Sequence, residues 1–466
     1  MRQLRNWQRE CLTHALSSFE HQPHFLCHAT PGAGKTVMVA SVAKVLFESD
    51  KIDFVLCFSP SRTIAQSVAT TFSQILGRSF NGRIGAAGGS YTYQSMGTLP
   101  KELWQVLSDH RVLVVLDEIH HCSGSESDDL IIGNSWGRTV LDRIQGHASY
   151  SIALSGTPWR TDNTPIALAR YTQPDGDLHC DYEYGLGRAI AEGVCRKPKI
   201  VLTDNREIQL SSCELGVQTY SSIRDTIKHG HISYPDFLGR DEVIDHTLSE
   251  ATKKLSEIRL HIPNAGGLIV AATVAHAEHV ATRLAVLGER SVVVSCRTPD
   301  AHQTIEKFRT SGDRWIISVG MISEGTDLPR LQVCCHLSRI RTELHFRQVL
   351  GRILRCQAGE PSHIGGWLYV LAEQNLTEFA HRIDQELPEQ TVVSFSPKRP
   401  EHNFDGAIGR AALASDTDTS AHDIELDVGG EWGTEKAMVS PSESTELRIS
   451  NQYWNDILSL FEGLVV

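Results

Sequence analysis

The chain has 466 residues, of which 41% are hydrophobic and 21% are charged, and its formal net charge is −12 at pH 7. This apolar content is enough for sizeable cores and excludes wholesale disorder, and no apolar run reaches the ~18 residues that a membrane-spanning helix needs. Because the 11 cysteines form no CxxC pairs and the N-terminus lacks the apolar region of a secretory signal, we expect a soluble cytoplasmic protein.

Short β-branched and apolar runs alternate with helix-like stretches along most of the chain, a pattern typical of βα units in a parallel sheet. Several runs are continuously apolar, as expected for strands that are covered on both faces. The predicted strands are residues 24–27, 54–58, 112–116, 151–154, 268–271, 291–294, 315–319, 332–335 and 367–370. The predicted fold class is therefore α/β, with two broadly similar halves.

A stretch of weaker periodicity separates the two halves. It predicts a connector at 198–240 between one domain at 1–197 and a second at 241–390. Residues 391–447 are rich in Ser, Thr, Gly, Asp and Glu and are predicted to form an acidic, flexible linker. The chain from Ser396 onward contributes −8 of the net charge, so positive and negative charges are nearly equal in the residues before it. Those residues can therefore still form a basic cleft.

The segment ATPGAGKT, residues 29–36, follows a predicted strand and precedes a helical stretch. Its glycines let successive backbone N–H groups converge on phosphate oxygens, and the helix N-terminus adds a partial positive charge. Lys35 would reach the β- and γ-phosphates of a nucleotide, and the hydroxyl of Thr36 would bind Mg²⁺. The residues expected around the phosphates are Pro31, Gly32, Ala33, Gly34, Lys35 and Thr36.

Asp117 and Glu118 directly follow the predicted strand at 112–116, at the end where parallel sheets bind ligands. Asp117 can hold Mg²⁺, and Glu118 can orient and polarise an attacking water. A lone acidic pair in this position would usually be a solvated loop. Together with an upstream phosphate loop it predicts a nucleotide hydrolysis site.

These motifs and their order resemble superfamily 2 helicases, over roughly residues 4–372. Residues 117–120, DEIH, resemble the DEAH-type box, and the branch that looks most similar includes the type III restriction motors (ResIII-like). Other segments that resemble motifs of this family are Gln8, residues 60–62 with Gln66, residues 92–95, residues 155–160, residues 268–273, residues 324–329, and the QxxGRxxR set of Gln348, Gly351, Arg352 and Arg355. Gly156 stands where the family more often has Ala.

The resemblance implies two tandem RecA-like domains with parallel sheets and with ATP in the cleft between them. Arg352 and Arg355 would be arginine fingers that neutralise charge on the γ-phosphate. Further contacts to the nucleotide would come from Gln8, which reads adenine, and from Gly325 and Asp327. The residues that would couple closure over ATP to the grip on a strand are His120, Ser155, Thr157 and Gln348.

The resemblance also implies contacts to a nucleic-acid backbone. Hydroxyls, backbone amides and Arg contact phosphates without reading the base sequence. The candidates are Ser61, Arg62, Thr92, Tyr93, Thr273 and Thr326.

The leading hypothesis is an ATP-dependent, Mg²⁺-requiring helicase or translocase that acts on DNA. Two alternatives stay open: an RNA-dependent ATPase, and a module that uses ATP-driven closure to recruit a partner nuclease without strand separation. The chain itself shows no convincing nuclease motif. His276 and His279 have no third or fourth ligand nearby in the sequence, so a metal site there is not expected.

Residues 448–466 carry apolar side chains at three- and four-residue steps, which predicts an amphipathic C-terminal helix of about five turns. Because so short a helix is marginal alone, its apolar face must dock on something. The favoured surface is the chain's own second domain. The alternatives are a protein partner such as a nuclease, reached on the flexible tether, or a tether that competes with nucleic acid as a polyanion.

Overall fold

A computed structural model describes residues 3–127, 130–160, 162, 164–172, 176–212, 216–295, 297–298, 300–320, 328–356, 360, 364–383 and 446–461. In this part of the chain two lobes are present, each built around a sheet of mainly parallel strands. No helix within these ranges is both long enough and apolar enough to cross a membrane.

The elements of the described residues follow the predicted alternation of strands and helices. The strands are β1 (His24–Ala29), β2 (Phe54–Ser59), β3 (Gly88–Thr92), β4 (Val112–Asp117), β5 (Gly124–Ser127), β6 (Leu130–Gly133), β7 (Tyr150–Ser155), β8 (Arg170–Tyr171), β9 (Leu178–His179), β10 (Tyr182–Tyr184), β11 (Pro198–Asn205), β12 (Ile208–Ser212), β13 (Gly216–Tyr220), β14 (Gly266–Ala271), β15 (Ser291–Val294), β16 (Trp315–Ser318), β17 (Leu331–Leu337), β18 (Gly366–Leu371), β19 (Glu446–Ile449) and β20 (Tyr453–Ser459). The helices are α1 (Asn6–Ser18), α2 (Lys35–Glu48), α3 (Arg62–Leu76), α4 (Lys101–Asp109), α5 (Ser135–Arg143), α6 (Leu186–Ala191), α7 (Ile223–His229), α8 (Tyr234–Leu238), α9 (Asp241–Arg259), α10 (Val274–Val286), α11 (Ala301–Thr310), α12 (Glu343–Ile353) and α13 (Gln374–His381).

The first sheet has six parallel strands in the order β10, β1, β7, β4, β2, β3. Successive side chains of its central strands belong to different core clusters, one that includes α1 to α3 and one that includes α4 and α5. Helices therefore cover both faces of the sheet. Because all six strands run the same way, the segments that follow β1, β2, β4 and β7 meet at one edge.

The second sheet has the strand order β15, β16, β14, β17, β18, β11, β20, and only the β11–β20 pair is antiparallel. All the strands predicted from the sequence are confirmed, and so is the α/β class. The predicted connector at 198–240 is too long, because its first eight residues are β11, a strand inside this sheet. The connector also contributes β12 and β13, which form a small antiparallel sheet with β19.

The prediction of a C-terminal helix at 448–466 is wrong, because the described part of this segment forms the second half of β19 and all of β20. β20 pairs antiparallel with β11 over seven residues, in a register that joins Lys199 to Ser459 and Asn205 to Tyr453. The pairing covers backbone groups of β11 that would otherwise form an open sheet edge.

The helical spacing gives the wrong prediction because the apolar side chains of this segment do not share one buried face: some pack on the second lobe and others are exposed to solvent. Tyr453 stacks on His246 with 4.2 Å between ring centroids, whereas Trp454 and Ile457 are 39% and 50% exposed. Docking on the chain's own second lobe is confirmed, although the docking elements are strands, so the hypothesis of a partner-binding helix loses its basis. The predicted linker at 391–447 lies outside the described residues, except for its last two residues, which begin β19.

The docking of β20 can be tested by comparing two adjacent aromatic residues. Tyr453→Ala removes a half-buried ring from the surface of α9 and should lower the free energy of unfolding by about 2 kcal/mol, roughly 4–8 °C in Tm for a lobe of this size. Trp454→Ala is the matched control and should shift Tm much less. Equal shifts for the two variants in thermal unfolding would contradict this packing.

Candidate functional site

The glycine-rich loop at residues 30–34 joins β1 to α2 at the carboxyl edge of the first sheet. Gly32 and Gly34 have φ angles of +83° and +95°, which residues with a side chain rarely adopt. Lys35 begins α2, and its Nζ lies 3.3 Å from Oε1 of Glu118. Loop N–H groups, a helix N-terminus and a lysine together form a cradle that suits an anion such as phosphate.

The two acidic residues at the end of β4 have different backbone conformations. Asp117 is the last residue of the strand and is almost fully buried. Glu118 has a φ of +51°, a left-handed conformation that costs a non-glycine residue about 1–2 kcal/mol. Its Oε2 accepts a hydrogen bond from the N–H of Gly156 at 3.2 Å. Strain of this kind is concentrated at functional sites, and here it accompanies a carboxylate placed beside Lys35.

The three predicted coupling residues of the first lobe lie together and are buried. Nδ1 of His120 and Oγ of Ser155 are 2.9 Å apart, and the N–H of Thr157 donates to the same Oγ at 3.1 Å. Nδ1 of His120 is also 3.6 Å from Oε2 of Glu118. The segments after β4 and β7 are thus joined through short polar contacts that end at this carboxylate.

His28 adds a neutral group to the surroundings of the loop. It lies on β1 and is 3% exposed. Burial, and secondly the charge of Lys35, lower the pKa of His28 to about 4. The imidazole is therefore uncharged at neutral pH, so His28 adds no second positive charge beside Lys35.

Gln8 is buried on α1 and lies against the phosphate loop. Its Oε1 accepts from the N–H of Arg5 at 2.8 Å, and its Nε2 donates to the carbonyl of Gly34 at 3.0 Å. The guanidinium of Arg5 donates to the carbonyl of Ala33 at 2.8 Å. The position of Gln8 fits the predicted nucleotide contact, while its reading of adenine stays a prediction.

The second lobe places α12 and the residues after it against the same loop. A Cβ added to Gly32 would lie 2.7 Å from Cγ of Arg355, and one added to Gly351 would lie 2.8 Å from Cβ of Pro31. Only glycine permits so close an approach at these two positions. The other predicted residues of this helix are Gln348, which is half-buried, and Arg352, which is buried. Gly325, Thr326 and Asp327 lie outside the described residues.

The sequence analysis gave no role to Arg160 or Arg196, which both donate hydrogen bonds to main-chain carbonyls. Arg160 donates to the carbonyl of His120 at 2.6 Å. The buried guanidinium of Arg196 donates to the carbonyls of Pro329, Leu331 and Ile353 and pairs with Glu360 at 2.6 Å. Arg196 thereby fixes the end of α12, directly before the segment that carries Arg355. A carbonyl belongs to every residue type, so no sequence pattern marks these partners.

Several predicted strand-contacting residues occupy the segments after β2 and β3. Ser61 caps α3, Arg62 begins that helix, and Thr92 caps the 3-10 turn Tyr93–Thr98. Arg62 and Thr92 line one open cleft of about 280 Å³. Tyr93 is different: its side chain is fully buried, and its hydroxyl donates to the carbonyl of Asp117 at 2.8 Å. The side chain of Tyr93 is therefore shielded from solvent, and a contact between Tyr93 and a nucleic-acid backbone stays a prediction for its main-chain N–H.

The remaining candidates lie in the second lobe. Thr273 caps α10, accepting from the N–H of His276 at 3.1 Å. His276 Nδ1 also accepts from the N–H of Ala272, and His279 pairs with Asp241 at 2.7 Å, so the two histidines have separate structural partners. Among the residues with described coordinates, no group of three or more His, Cys, Asp or Glu is placed to hold a metal ion.

Relatives of this chain are found by sequence. Residues 1–160 match the family model described as "Type III restriction enzyme, res subunit". The chain is 29% identical over 400 residues to the uncharacterized protein Rv2917 of Mycobacterium tuberculosis (strain ATCC 25618 / H37Rv), covering 82% of this chain and 63% of that protein. It is 28% identical over 403 residues to the uncharacterized protein ML1624 of Mycobacterium leprae (strain TN), covering 83% and 64%. The chain thus spans less than two thirds of the length of these relatives.

Solved structures share the two-lobed fold. A fragment of an HsdR subunit of a type I restriction enzyme from Vibrio vulnificus YJ016 aligns with a TM-score of 0.55 and 15% identity, over 81% of this chain and 66% of that one. The ATP-dependent Type ISP restriction-modification enzyme LlaBIII bound to DNA aligns with a TM-score of 0.54 and 13% identity, over 83% and 30%. The chain therefore has the tandem RecA-like fold of these structures, and its residues 1–160 are similar to the res subunit of type III restriction enzymes.

Proposed function

We propose that this chain is an ATP-dependent, Mg²⁺-requiring motor that moves along or separates nucleic-acid strands, with DNA preferred over RNA. One observation carries the proposal: Lys35 and Glu118 lie side by side in the first lobe, and Arg355 of the second lobe lies against the same loop. Hydrolysis of a nucleoside triphosphate needs a phosphate cradle, a group that orients water and cations for the γ-phosphate. The chain has a candidate for each.

The roles in the first lobe follow from the position of each group. The phosphates of ATP would lie along residues 30–34, with Lys35 at the β- and γ-phosphates. Thr36 and Asp117 would supply the oxygen ligands for Mg²⁺, which usually takes only one or two protein ligands and completes its shell with phosphates and waters. Glu118, next to Lys35, would orient the attacking water.

The second lobe would complete the site by moving against the loop. Arg352 and Arg355 are arginine fingers in this proposal, because a planar guanidinium can bind two phosphate oxygens at once. The close approach of Gly351 to Pro31 means that a displacement of α12 acts directly on the loop. Gln348 on the same helix, together with His120, Ser155 and Thr157 of the first lobe, would link closure of the lobes over ATP to the grip on the nucleic-acid strand.

Nucleic acid would bind at the cleft between α3 and β3. Its lining includes Arg62, Gln66, Asn81, Ser90 and Thr92, which offer one cation and several neutral polar groups. Groups of this kind contact phosphates without reading the base sequence. The matching family model describes a restriction enzyme subunit, and this description supports DNA as the nucleic acid that the chain binds.

Two substitutions in the ATP site should separate binding from hydrolysis. Lys35→Ala should lower phosphate release at least about 100-fold, because it removes the cation of the cradle. Glu118→Gln should lower turnover about 100-fold or more, to a slow but measurable rate, yet keep the affinity for a fluorescent ATP analogue, since only polarisation of the water is lost. Lys44→Ala, on the same helix in a surface pair with Glu48, is the matched control and should keep the wild-type rate. Wild-type turnover by Glu118→Gln would exclude the role given to Glu118.

The strand that activates the motor is identified by measuring ATP hydrolysis with single-stranded DNA, duplex DNA and RNA at equal nucleotide concentration. We expect the largest stimulation with DNA. Stimulation by RNA alone would replace the proposal with an RNA-dependent ATPase, and stimulation without displacement of a labelled strand would favour a translocase or a switch. A rate that no nucleic acid changes would contradict the proposal.

The contribution of Arg62 should appear in the salt dependence of binding. If Arg62 contacts a phosphate, Arg62→Ala weakens binding to all single strands alike and reduces the slope of log affinity against log salt by about 0.7. Arg78→Ala, beyond the opposite end of α3, should leave the slope unchanged. Binding is measured by fluorescence anisotropy from low to physiological salt, and an identical slope for Arg62→Ala and wild type would remove Arg62 from the interface.

A further inference from the structure

Tyr93 connects the turn after β3 to the acidic pair after β4. Its ring is fully buried and stacks on Trp136 with 5.8 Å between centroids. Its hydroxyl donates to the main-chain carbonyl of Asp117 at 2.8 Å. Because burial raises the pKa of Tyr93 well above its ordinary value, the hydroxyl keeps its proton at any working pH.

The carbonyl that Tyr93 binds belongs to the peptide plane between Asp117 and Glu118. A peptide unit is planar, so the direction of this carbonyl is tied to the ψ of Asp117 and the φ of Glu118. At Glu118 this φ is +51°, whereas a residue with a side chain prefers negative values. Rotation of Glu118 toward negative φ would swing the Asp117 carbonyl away from the Tyr93 hydroxyl. The hydrogen bond thus favours the strained conformation over the relaxed one.

The conformation that Tyr93 favours is also the one that sets the position of the Glu118 carboxylate. In it, Oε1 lies 3.3 Å from Nζ of Lys35 and Oε2 accepts from the N–H of Gly156 at 3.2 Å. Asp117 and Glu118 together carry the predicted metal ligand and the predicted water-orienting group. A change in one peptide plane would therefore move both groups relative to the phosphate loop.

The other end of Tyr93 is covalently joined to the cleft proposed for nucleic acid. Thr92 precedes it and caps the turn, with its Oγ1 accepting from the N–H of Ser95 and its carbonyl accepting from the Ser95 hydroxyl at 2.7 Å. Thr92 and Arg62 line the same cleft. A nucleic-acid strand that binds in this cleft and shifts the turn would therefore also displace the buried ring of Tyr93, the next residue along the chain.

We infer that Tyr93 is a positioning residue: its hydroxyl holds Glu118 in the hydrolytic conformation through the Asp117 carbonyl and joins the turn at Thr92 to the reaction centre. The inference rests on the proposed function, since it concerns the same site. It needs no contact between Tyr93 and ATP or nucleic acid.

Tyr93→Phe tests this role because it removes the hydroxyl and keeps the ring. We expect kcat for ATP to fall about 10- to 100-fold, as a small misplacement of a reacting group can cost that much, while the KM for ATP and the affinity for a fluorescent ATP analogue stay unchanged. The ratio of the strand-saturated rate to the unstimulated rate should also fall. Tyr369→Phe is the matched control, because Tyr369 is a buried tyrosine of the second lobe whose hydroxyl donates to the carbonyl of Glu250. Tyr369→Phe should show the same small loss in Tm as Tyr93→Phe, but its kcat should equal that of the wild type.

A double variant shows whether the effect passes through Glu118. If it does, Tyr93→Phe added to Glu118→Gln causes no further loss in the single-turnover rate, because both changes remove the same contribution. A multiplicative loss would overturn positioning through Glu118. An unchanged stimulation ratio would overturn the link to the turn, and a kcat equal to that of Tyr369→Phe would overturn the inference as a whole. Wild-type protein that hydrolyses no ATP under any condition would instead refute the proposed function.

Discussion

The carboxylate of Glu118 is the point at which three separate segments of the first lobe meet. Lys35 lies at the start of α2, Gly156 in the segment after β7 and His120 in the turn after β4, and each lies within 3.6 Å of this one carboxylate. The meeting is a consequence of the parallel sheet, which brings the carboxyl ends of its strands to one edge. Since the carboxylate is only 23% exposed, its contacts are weakly screened by water, and a change in any one segment is felt by the others.

The phosphate loop and the acidic pair at this edge of the first sheet could be located from the sequence because each consists of contiguous residues. The phosphate loop and the acidic pair each need a fixed run of residue types next to a strand, so composition and order suffice to find them. His120, Ser155 and Thr157 come from two segments about 35 residues apart, and only the ordered motifs of a known family predicted that they act together. The structure brings all three into contact.

The features that sequence reasoning missed depend on tertiary contacts. Arg5, Arg160 and Arg196 bind main-chain carbonyls, and the identity of a carbonyl is not recorded in the sequence. Tyr93 was found as part of a motif, but a motif gives a place along the chain and not the direction of a side chain. In the C-terminal segment, spacing typical of a helix coexists with aromatic and β-branched residues, and the free edge of β11, far away in the sequence, selects the strand.

The β11–β20 pair has a consequence for how the chain acquires its fold during synthesis. Lys199 and Ser459 are neighbours in the sheet but are 260 residues apart in the chain. At about 5–20 residues per second, the ribosome would make β20 roughly 10–50 s after β11. For that interval the edge of β11 has no strand from its own chain, while the first lobe has already been completed. During that interval β20 of one nascent chain on a polysome could pair with the open β11 edge of another. The timing of translation therefore bears on whether this protein folds as separate copies or as strand-swapped pairs.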